Sequence, residues 1–278
     1  IPGSDGVGTG DGKGYLYVLD AYTGQLLKKV GTNSGDPTTP SGLAKITAIS
    51  DDPTADSRAT FIYGGDNQGQ MWRFDLTAAS GAVSVLKMGD AGPEKPITTR
   101  PDVTMCGVPT TVTAGGVATT SMRGVRVVLY GTGRLLDIPD TSSTAIQSLY
   151  LLKDSGATIA NLRGASMVQQ TLSELGSSTN INSFAITSNP VDLAQRDGWF
   201  FDWSLVAGER MNLLRRLAPL GRMVDSRLRK AGSGRGLRWT LVAEDWAVKH
   251  GIDVVDSDAS AFAGAVAALT GHFALRPD

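Results

Sequence analysis

The chain has 278 residues, 41% of them hydrophobic and 19% charged, which is enough to bury a sizeable core in one or two domains. Its 26 basic and 27 acidic residues leave a formal net charge of −1, a balance that gives no footing for a nucleic-acid or acidic-membrane partner. One cysteine, Cys106, excludes an intrachain disulfide, and no apolar run approaches the roughly 20 residues that cross a bilayer as a helix.

The 34 glycines exceed the usual share and point to short strands joined by many turns. The opening "IPGSDGVGTGDGKGYLYVLD" has no initiating Met and reaches a strand almost at once, so the sequence reads as a piece of a longer protein. Within it, Gly6 to Gly14 faintly resembles a phosphate loop. Such loops open a helix, whereas this one precedes a strand, so it is expected to be a flexible loop or bulged strand.

The first clear element is "GYLYVLDAYTGQLLKKV", Gly14 to Val30. Leu16 and Val18 alternate with Tyr15, Tyr17 and Leu19, as in a strand with two distinct faces. Asp20 and Gly24 supply a turn, and "QLLKKV" returns as the second strand of a hairpin. "FIYGGDNQGQMWRFDL" repeats the plan: a strand at Phe61 to Tyr63, a turn at Asp66 to Gly69, a strand at Gln70 to Leu76. The Val-, Thr- and Gly-rich segment Val103 to Val127 has room for another hairpin, and Val125 to Leu136 is a strand running into a Gly131/Gly133 turn. Ala145 to Asp154 and Gly198 to Trp203 are further strands. Asn161 to Ser178 is compatible with a short helix near Met167 to Leu175, capped by Gly176, or with a strand, because "MVQQTL" alternates.

Hairpins in series ending in aromatic–Asp pairs predict an all-β chain, a partial β-propeller with quinoprotein-like hairpin blades. A β-sandwich uses similar strands and is the alternative. The rhythm ends near Arg210, so residues 1–211 are expected to form the propeller portion and 212–278 an irregular or helical tail. That tail carries an arginine-rich stretch and an Ala-rich, helix-permissive one from Ala259 to Leu269. An anion-binding patch, a solvated irregular segment and a shifted reading frame in GC-rich coding DNA all account for it, and the shifted frame is preferred.

Seven stretches now stand in order: "YLYVLDAYTGQLLKKV", "PSGLAKITAI", "IYGGDNQGQMWRFDL", "PITTRPDVT", "RVVLYGTGRLLDIPDTSSTAIQSLYLLKD", "MVQQTL" and "GWFFDWSLVAGERM". Together they resemble the C-terminal β-propeller of the PilY1/PilC family, the type IV pilus biogenesis factors and tip-associated adhesins, over residues 15 to 211. "YGGD", "WRFDL", "YGTGR" and "QSLY" carry most of the likeness; the first hairpin alone also resembles quinoprotein dehydrogenase blades. The resemblance implies an exported, non-enzymatic protein at the pilus tip or bacterial outer surface. Its implied partners are minor pilins or the pilus tip, and a host or surface receptor.

The family also implies a calcium loop of the form Asp-x-Asp-x-Asp-Gly-x-x-Asp ahead of the "Y-x-G-D" strand. Counting back from Tyr63 places its four ligand positions on Asp52, Thr54, Asp56 and Thr60, with Ser57 where glycine is expected. Two carboxylates of four remain. Calcium wants six to eight oxygens, several of them charged. Ser57 makes the sharp turn costlier by about 1 kcal/mol, Pro53 fixes φ between the first two positions, and Arg58 brings a competing cation; Asp51 is an extra carboxylate. The expectation is a degenerate, weak calcium site, set against a preferred metal-free loop whose Asp and Thr side chains bond backbone N–H groups.

Other residues have plainer expected roles. Asp66 should anchor a turn, Trp72, Phe74 and Trp199 should be core, and Arg73 and Arg134 should bond loop carbonyls or Asp side chains at sheet edges. The alternatives are a quinoprotein-dehydrogenase-like propeller enzyme, of which one cysteine excludes only the version that stacks its cofactor on adjacent cysteines, and an outer-membrane assembly scaffold, which lacks "YGTGR" and "QSLY". Cys106 is read as inert, because the two histidines, His250 and His272, lie far off in the tail.

Overall fold

The structure, a computed structural model, describes residues 10–51, 56, 58–115, 117–178 and 181–211, together with the strand segments 217–218, 222–223, 226–229, 236–243 and 273–277. Strands β1 (Tyr15–Leu19) and β2 (Leu26–Gly31) form a two-stranded antiparallel sheet. Its turn is built as the sequence predicts. Asp20 accepts hydrogen bonds from the backbone N–H groups of Tyr22 and Thr23, and Gly24 takes a φ of 71°.

Strands β3 (Leu43–Ile49), β4 (Phe61–Asp66), β5 (Gln70–Asp75) and β6 (Ser84–Asp90) follow as a four-stranded up-and-down sheet in chain order. A five-stranded sheet comes next. It is made of β7 (Asp102–Ala114), β8 (Val117–Gly131), β9 (Ser148–Lys153), β10 (Met167–Gln169) and, after an intervening hairpin, β13 (Gly198–Asp202). Its spatial order is β10-β13-β9-β8-β7, and β10 is parallel to β13. The intervening hairpin is β11 (Leu172–Ser178) with β12 (Ile181–Ile186). Segment 161–178, open between helix and strand in the sequence, is a turn followed by the two strands β10 and β11. Buried Gln170 lies between them: its N–H still donates to the Phe200 carbonyl, and its side-chain Oε1 accepts from Thr187 Oγ1 and the Asn189 N–H.

The sheets stack face to face in the order the chain makes them, and period-two alternation decides which side chain goes to which interface. On β4, Ile62 joins Leu16, Trp72 and Phe74 between the first two sheets, while its neighbour Tyr63 points the other way. There Tyr63 meets Met71, Met88, Tyr130, Tyr150 and Leu152 between the second and third sheets. On β8 and β9, Val127, Leu129, Leu149 and Leu151 turn to the far face, where they pack on Ile186, Phe201, Trp203 and Met211. Central strands buried on both faces contribute about 1.5–3 kcal/mol per large apolar side chain, which is why these strands read as near-continuous apolar runs.

The paired glycines of "YGGD" have a packing reason. A Cβ on Gly65 would lie 2.2 Å from Ile97 Cγ2, and Ile97 is fully buried against that strand. The segment "YGTGRLLDIPD" is tied by two buried charges. Asp140 accepts from the N–H groups of Leu136 and Asp137 and from Arg134 Nε, closing a short 3-10 helix at Ile138–Ser142. Arg210 donates to the carbonyls of Arg134, Asp140 and Ser143.

Beyond β14 (Arg210–Met211), the described tail segments are strands. Ser226–Arg229 pairs with β14, Gly236–Ala243 with that strand, and Phe273–Pro277 with the latter. The Ala-rich stretch 259–269, expected to permit a helix, lies outside the described residues. Among the described residues no helix is long and apolar enough to cross a membrane.

Candidate functional site

The polar loop singled out by the sequence connects β3 to β4. Of its four expected ligand positions, Asp56 and Thr60 are described; Asp52 and Thr54 lie outside the described residues. The Asp56 carboxylate is already engaged. Arg58 donates to it from its backbone N–H at 2.9 Å and from Nε at 2.8 Å, with Nη2 2.6 Å from Oδ2. These bonds from Arg58 hold the Asp56 carboxyl below its ordinary range. Thr60 faces back into the sheet: its N–H and its hydroxyl both donate to the Ile49 carbonyl, at 2.8 and 3.3 Å. Ser50 Oγ donates to the Asp56 carbonyl and so ties the loop across its base.

Asp51, at the loop's root, accepts a hydrogen bond from Arg126 Nη2 on β8 of the next sheet. Arg126 also donates through Nη1 to Asp154 Oδ2 at 3.3 Å. Asp154, whose side chain is 1% exposed, is the hub of this joint. It accepts from the Tyr63 hydroxyl at 2.6 Å, from Arg73 Nη1 at 2.8 Å and from the Gly156 N–H at 3.0 Å. Burial pushes the Asp154 carboxyl up, but the bonds from Tyr63, Arg73 and Gly156 outweigh it and leave the carboxyl below its ordinary range. The Phe61 ring lies against both guanidinium groups, with Arg126 Cζ 4.1 Å and Arg73 Cζ 5.3 Å from its centroid. Two sheets are thus joined by one buried carboxylate and two arginines.

Among the described residues, no group of three or more acidic, histidine or cysteine side chains gathers as a metal centre would require. Of the loop's expected ligand positions only Asp56 and Thr60 are described, and neither offers a free carboxylate. Asp56 is bound to Arg58 and Asp51 to Arg126, while the Thr60 hydroxyl donates its proton to the Ile49 carbonyl and keeps its oxygen lone pairs. A hard cation that needs several free charged oxygens finds each described carboxylate of the loop already facing a guanidinium.

The other residues with expected roles fall as follows. Asp66 is fully buried and holds the β4–β5 turn, accepting from the N–H groups of Gln68 and Gln70 at 2.9 Å and from Trp72 Nε1 at 2.8 Å. Burial, only partly opposed by these bonds, pushes its carboxyl up to about 6. Trp72 and Phe74 are core, and Trp199 is half-buried at the edge of the far-face cluster. Arg73 and Arg134 both bind Asp side chains, Asp154 and Asp140. Burial raises the thiol pKa of Cys106, which disfavours the thiolate.

A second ion cluster was not legible in the sequence. Ser148 Oγ accepts from Lys95 Nζ and Arg163 Nη2, each at 2.9 Å, and donates to Asp202. Arg163 also forks onto Asp202 and lies 4.3 Å from the Phe200 ring centroid. A serine beside a lysine is one pattern of an activated nucleophile. Here Ser148 is fully buried and its hydroxyl is bound on every side, so it is a node of the packing.

With this geometry in hand, the comparisons are specific. The family model described as the PilY1 beta-propeller domain matches residues 3–185. A type IV pilus biogenesis factor PilY1 homolog of Xylella fastidiosa is 23% identical over 206 residues, covering 71% of this chain and 14% of the relative. The type IV pilus biogenesis factor PilY1 of Pseudomonas aeruginosa is 29% identical over 223 residues, covering 69% of this chain and 19% of the relative. The crystal structure of the C-terminal domain of that Pseudomonas aeruginosa protein is similar with a TM-score of 0.60 at 23% identity, covering 82% of this chain and 52% of that one. The chain therefore spans under a fifth of the length of the two curated relatives and about half of the solved domain. The stacked sheets are β-propeller blades, and the sandwich alternative falls away.

Proposed function

The chain belongs to the PilY1 β-propeller family, and from that premise we propose that it is part of a non-enzymatic type IV pilus biogenesis and adhesion protein. The observation that carries this is the family match over residues 3–185, set on the same fold as the solved PilY1 domain. The proposed place of work is the pilus tip or outer cell surface, after export. The proposed partners are minor pilins and a surface or host receptor, with twitching motility as the process served. Support for a non-enzymatic role comes from the chemistry of the two ion clusters. In each, the titratable groups are consumed in bonds between packed elements.

Disrupting the coding gene in the source cell and counting surface pili by electron microscopy tests this. The expected result is a loss of pili that the intact gene restores. Normal piliation and normal surface attachment in the disrupted strain would overturn it.

A further inference from the structure

We propose that the open edge of β8 from Ala118 to Gly124 pairs with the same edge of a second copy of this chain, antiparallel about a two-fold at Ser121. The inference uses the strand ladder and not the pilus role, so it stands or falls separately from the function proposed above.

The hairpin of β7 and β8 outruns its sheet. The two strands pair along their whole length, from Asp102 opposite Leu129 to Ala114 opposite Val117. Strand β9 follows β8 only as far as Lys153 opposite Val127. One more bond, from the Asp154 N–H to the Arg126 carbonyl at 2.8 Å, closes that side. Past it, among the described residues, β8 has β7 alone as ladder partner. Every residue from Ala118 to Gly124 is exposed.

That last bond fixes which way each backbone group faces. Arg126 turns its carbonyl to β9, and along a strand in an antiparallel sheet successive residues turn their N–H and C=O to opposite sides. Val125, Arg123, Ser121 and Thr119 therefore face β7, while Gly124, Met122, Thr120 and Ala118 present theirs outward. The same count turns Pro109 of β7 outward, and proline has no N–H to offer. The outer strands of the four-stranded sheet, β3 and β6, each carry a mid-strand lysine, Lys45 and Lys87. Proline and lysine are the usual guards of a sheet edge. The β8 edge from Ala118 to Gly124 has neither, and Arg123 is its one charge.

A second copy fits this edge in size and charge. With the two-fold at Ser121, Met122, which is 69% exposed, stands opposite Thr120 of the second copy, Gly124 opposite Ala118 and Arg123 opposite Thr119. Large side chains meet smaller ones, and the two arginines are not set face to face. Each outward residue meets an outward residue of the other copy, and each such pair exchanges two backbone bonds. Moving the two-fold to Met122 would set Ala118 against Arg126, whose carbonyl the Asp154 N–H already holds.

The test is disulfide trapping in the full 278-residue chain carrying Cys106→Ser and Leu19→Lys, which remove the native thiol and weaken association through the first sheet. Ser121 would face its own copy as a non-hydrogen-bonded pair with Cα atoms about 4.5 Å apart, inside the range a disulfide spans. Thr119 would lie about 14 Å from its own copy, at ~3.4 Å per residue along the strands. Mild oxidation should give about tenfold more linked dimer from Ser121→Cys than from Thr119→Cys, because the second separation exceeds disulfide reach. Both positions are exposed, so neither substitution disturbs the packed sheets. Ser121→Lys sets two ammonium groups opposite each other and should lower the dimer fraction in sedimentation, with added salt restoring part of it. Equal linking at the two positions, or none at either, would overturn the proposal and leave the edge to another polypeptide. A dimer fraction indifferent to Ser121→Lys would overturn it as well.

Discussion

Arg73 and Asp154 meet across the joint between two blades, Nη1 to Oδ1 at 2.8 Å, with the carboxylate 1% and the guanidinium 14% exposed. Tyr63 and Arg126 share the same carboxylate. Removing a buried partner is costlier than the net worth of the pair, because the remaining charges stay desolvated. Asp154→Ala takes the shared acceptor from Tyr63, Arg73 and Arg126, leaving Arg126 only half-exposed Asp51 and Arg73 only Asp75 at 3.7 Å, and should lower stability by about 3 kcal/mol. The urea unfolding midpoint checks it, and a shift worth under ~1 kcal/mol would show the joint to be dispensable.

The same carboxylate and Asp66 set opposite slopes of stability against pH. Asp154 titrates below its ordinary range in the fold. The stability it contributes is present above the unfolded value of about 3.9 and is lost as pH falls through the lower folded value. Asp66 titrates at about 6 in the fold. Between about 3.9 and 6 the native state holds a proton that the unfolded chain has released, so this group costs stability as pH rises through that window. The full effect is on the order of 3 kcal/mol, at 1.36 kcal/mol per unit. Unfolding midpoints at pH 4.5 and pH 7 are the measurement; Asp66→Asn should flatten the difference between them.

Gly65→Ala should destabilise the chain without touching any charge. The new Cβ would stand 2.2 Å from Ile97 Cγ2 and 2.4 Å from Ile97 Cβ. A β-branched side chain that is fully buried cannot swing aside, and overpacking of this kind costs about 1–3 kcal/mol. Thermal melts of the two proteins decide it. Ile97→Ala removes the Cγ2 that the new Cβ strikes, so the loss in the double variant should be smaller than the sum of the two single losses.

The first sheet should drive self-association. Leu19 and Leu26 face each other across β1 and β2 and are 56% and 51% exposed, with Tyr17 and Leu27 also more than half exposed. A two-stranded sheet with apolar side chains in water is a ready template for another edge. Leu19→Lys should lower the scattering mass in solution at equal concentration. An unaltered chain that is already monodisperse would contradict this.

What was legible in the sequence was local. The β4–β5 hairpin is read from Asp66, Gly69 and alternating apolar residues, all within one turn and its flanks. Strands β3 and β6 do not stand out as separate elements in the sequence, although "PSGLAKITAI" belongs to the family likeness. Each carries a lysine mid-strand, Lys45 and Lys87, and most of their positions are only half-buried, so the alternation is blunted. The sheets stack in chain order, as neighbours in sequence commonly do, whereas the order β10-β13-β9-β8-β7 within the third sheet has no signal in the sequence. The candidate site was only half visible. Asp51 and Asp56 stand out by composition, while Arg126 reaches Asp51 only after the sheets have stacked, and Arg163 meets Asp202 only once β9 and β13 have paired. No spacing rule inside the loop announces a counter-charge from the next blade.

The clamp between Arg126 and Asp51 also changes what dilution can do to this protein. A metal-held loop obeys mass action: its stabilisation grows with the logarithm of ion concentration over the dissociation constant and vanishes where the ion is scarce. A side-chain clamp is unimolecular, and its partner is present at a fixed effective concentration set by the fold. The Arg126–Asp51 pair therefore keeps the same fastening at any dilution, weakened only as salt screens its half-exposed carboxylate.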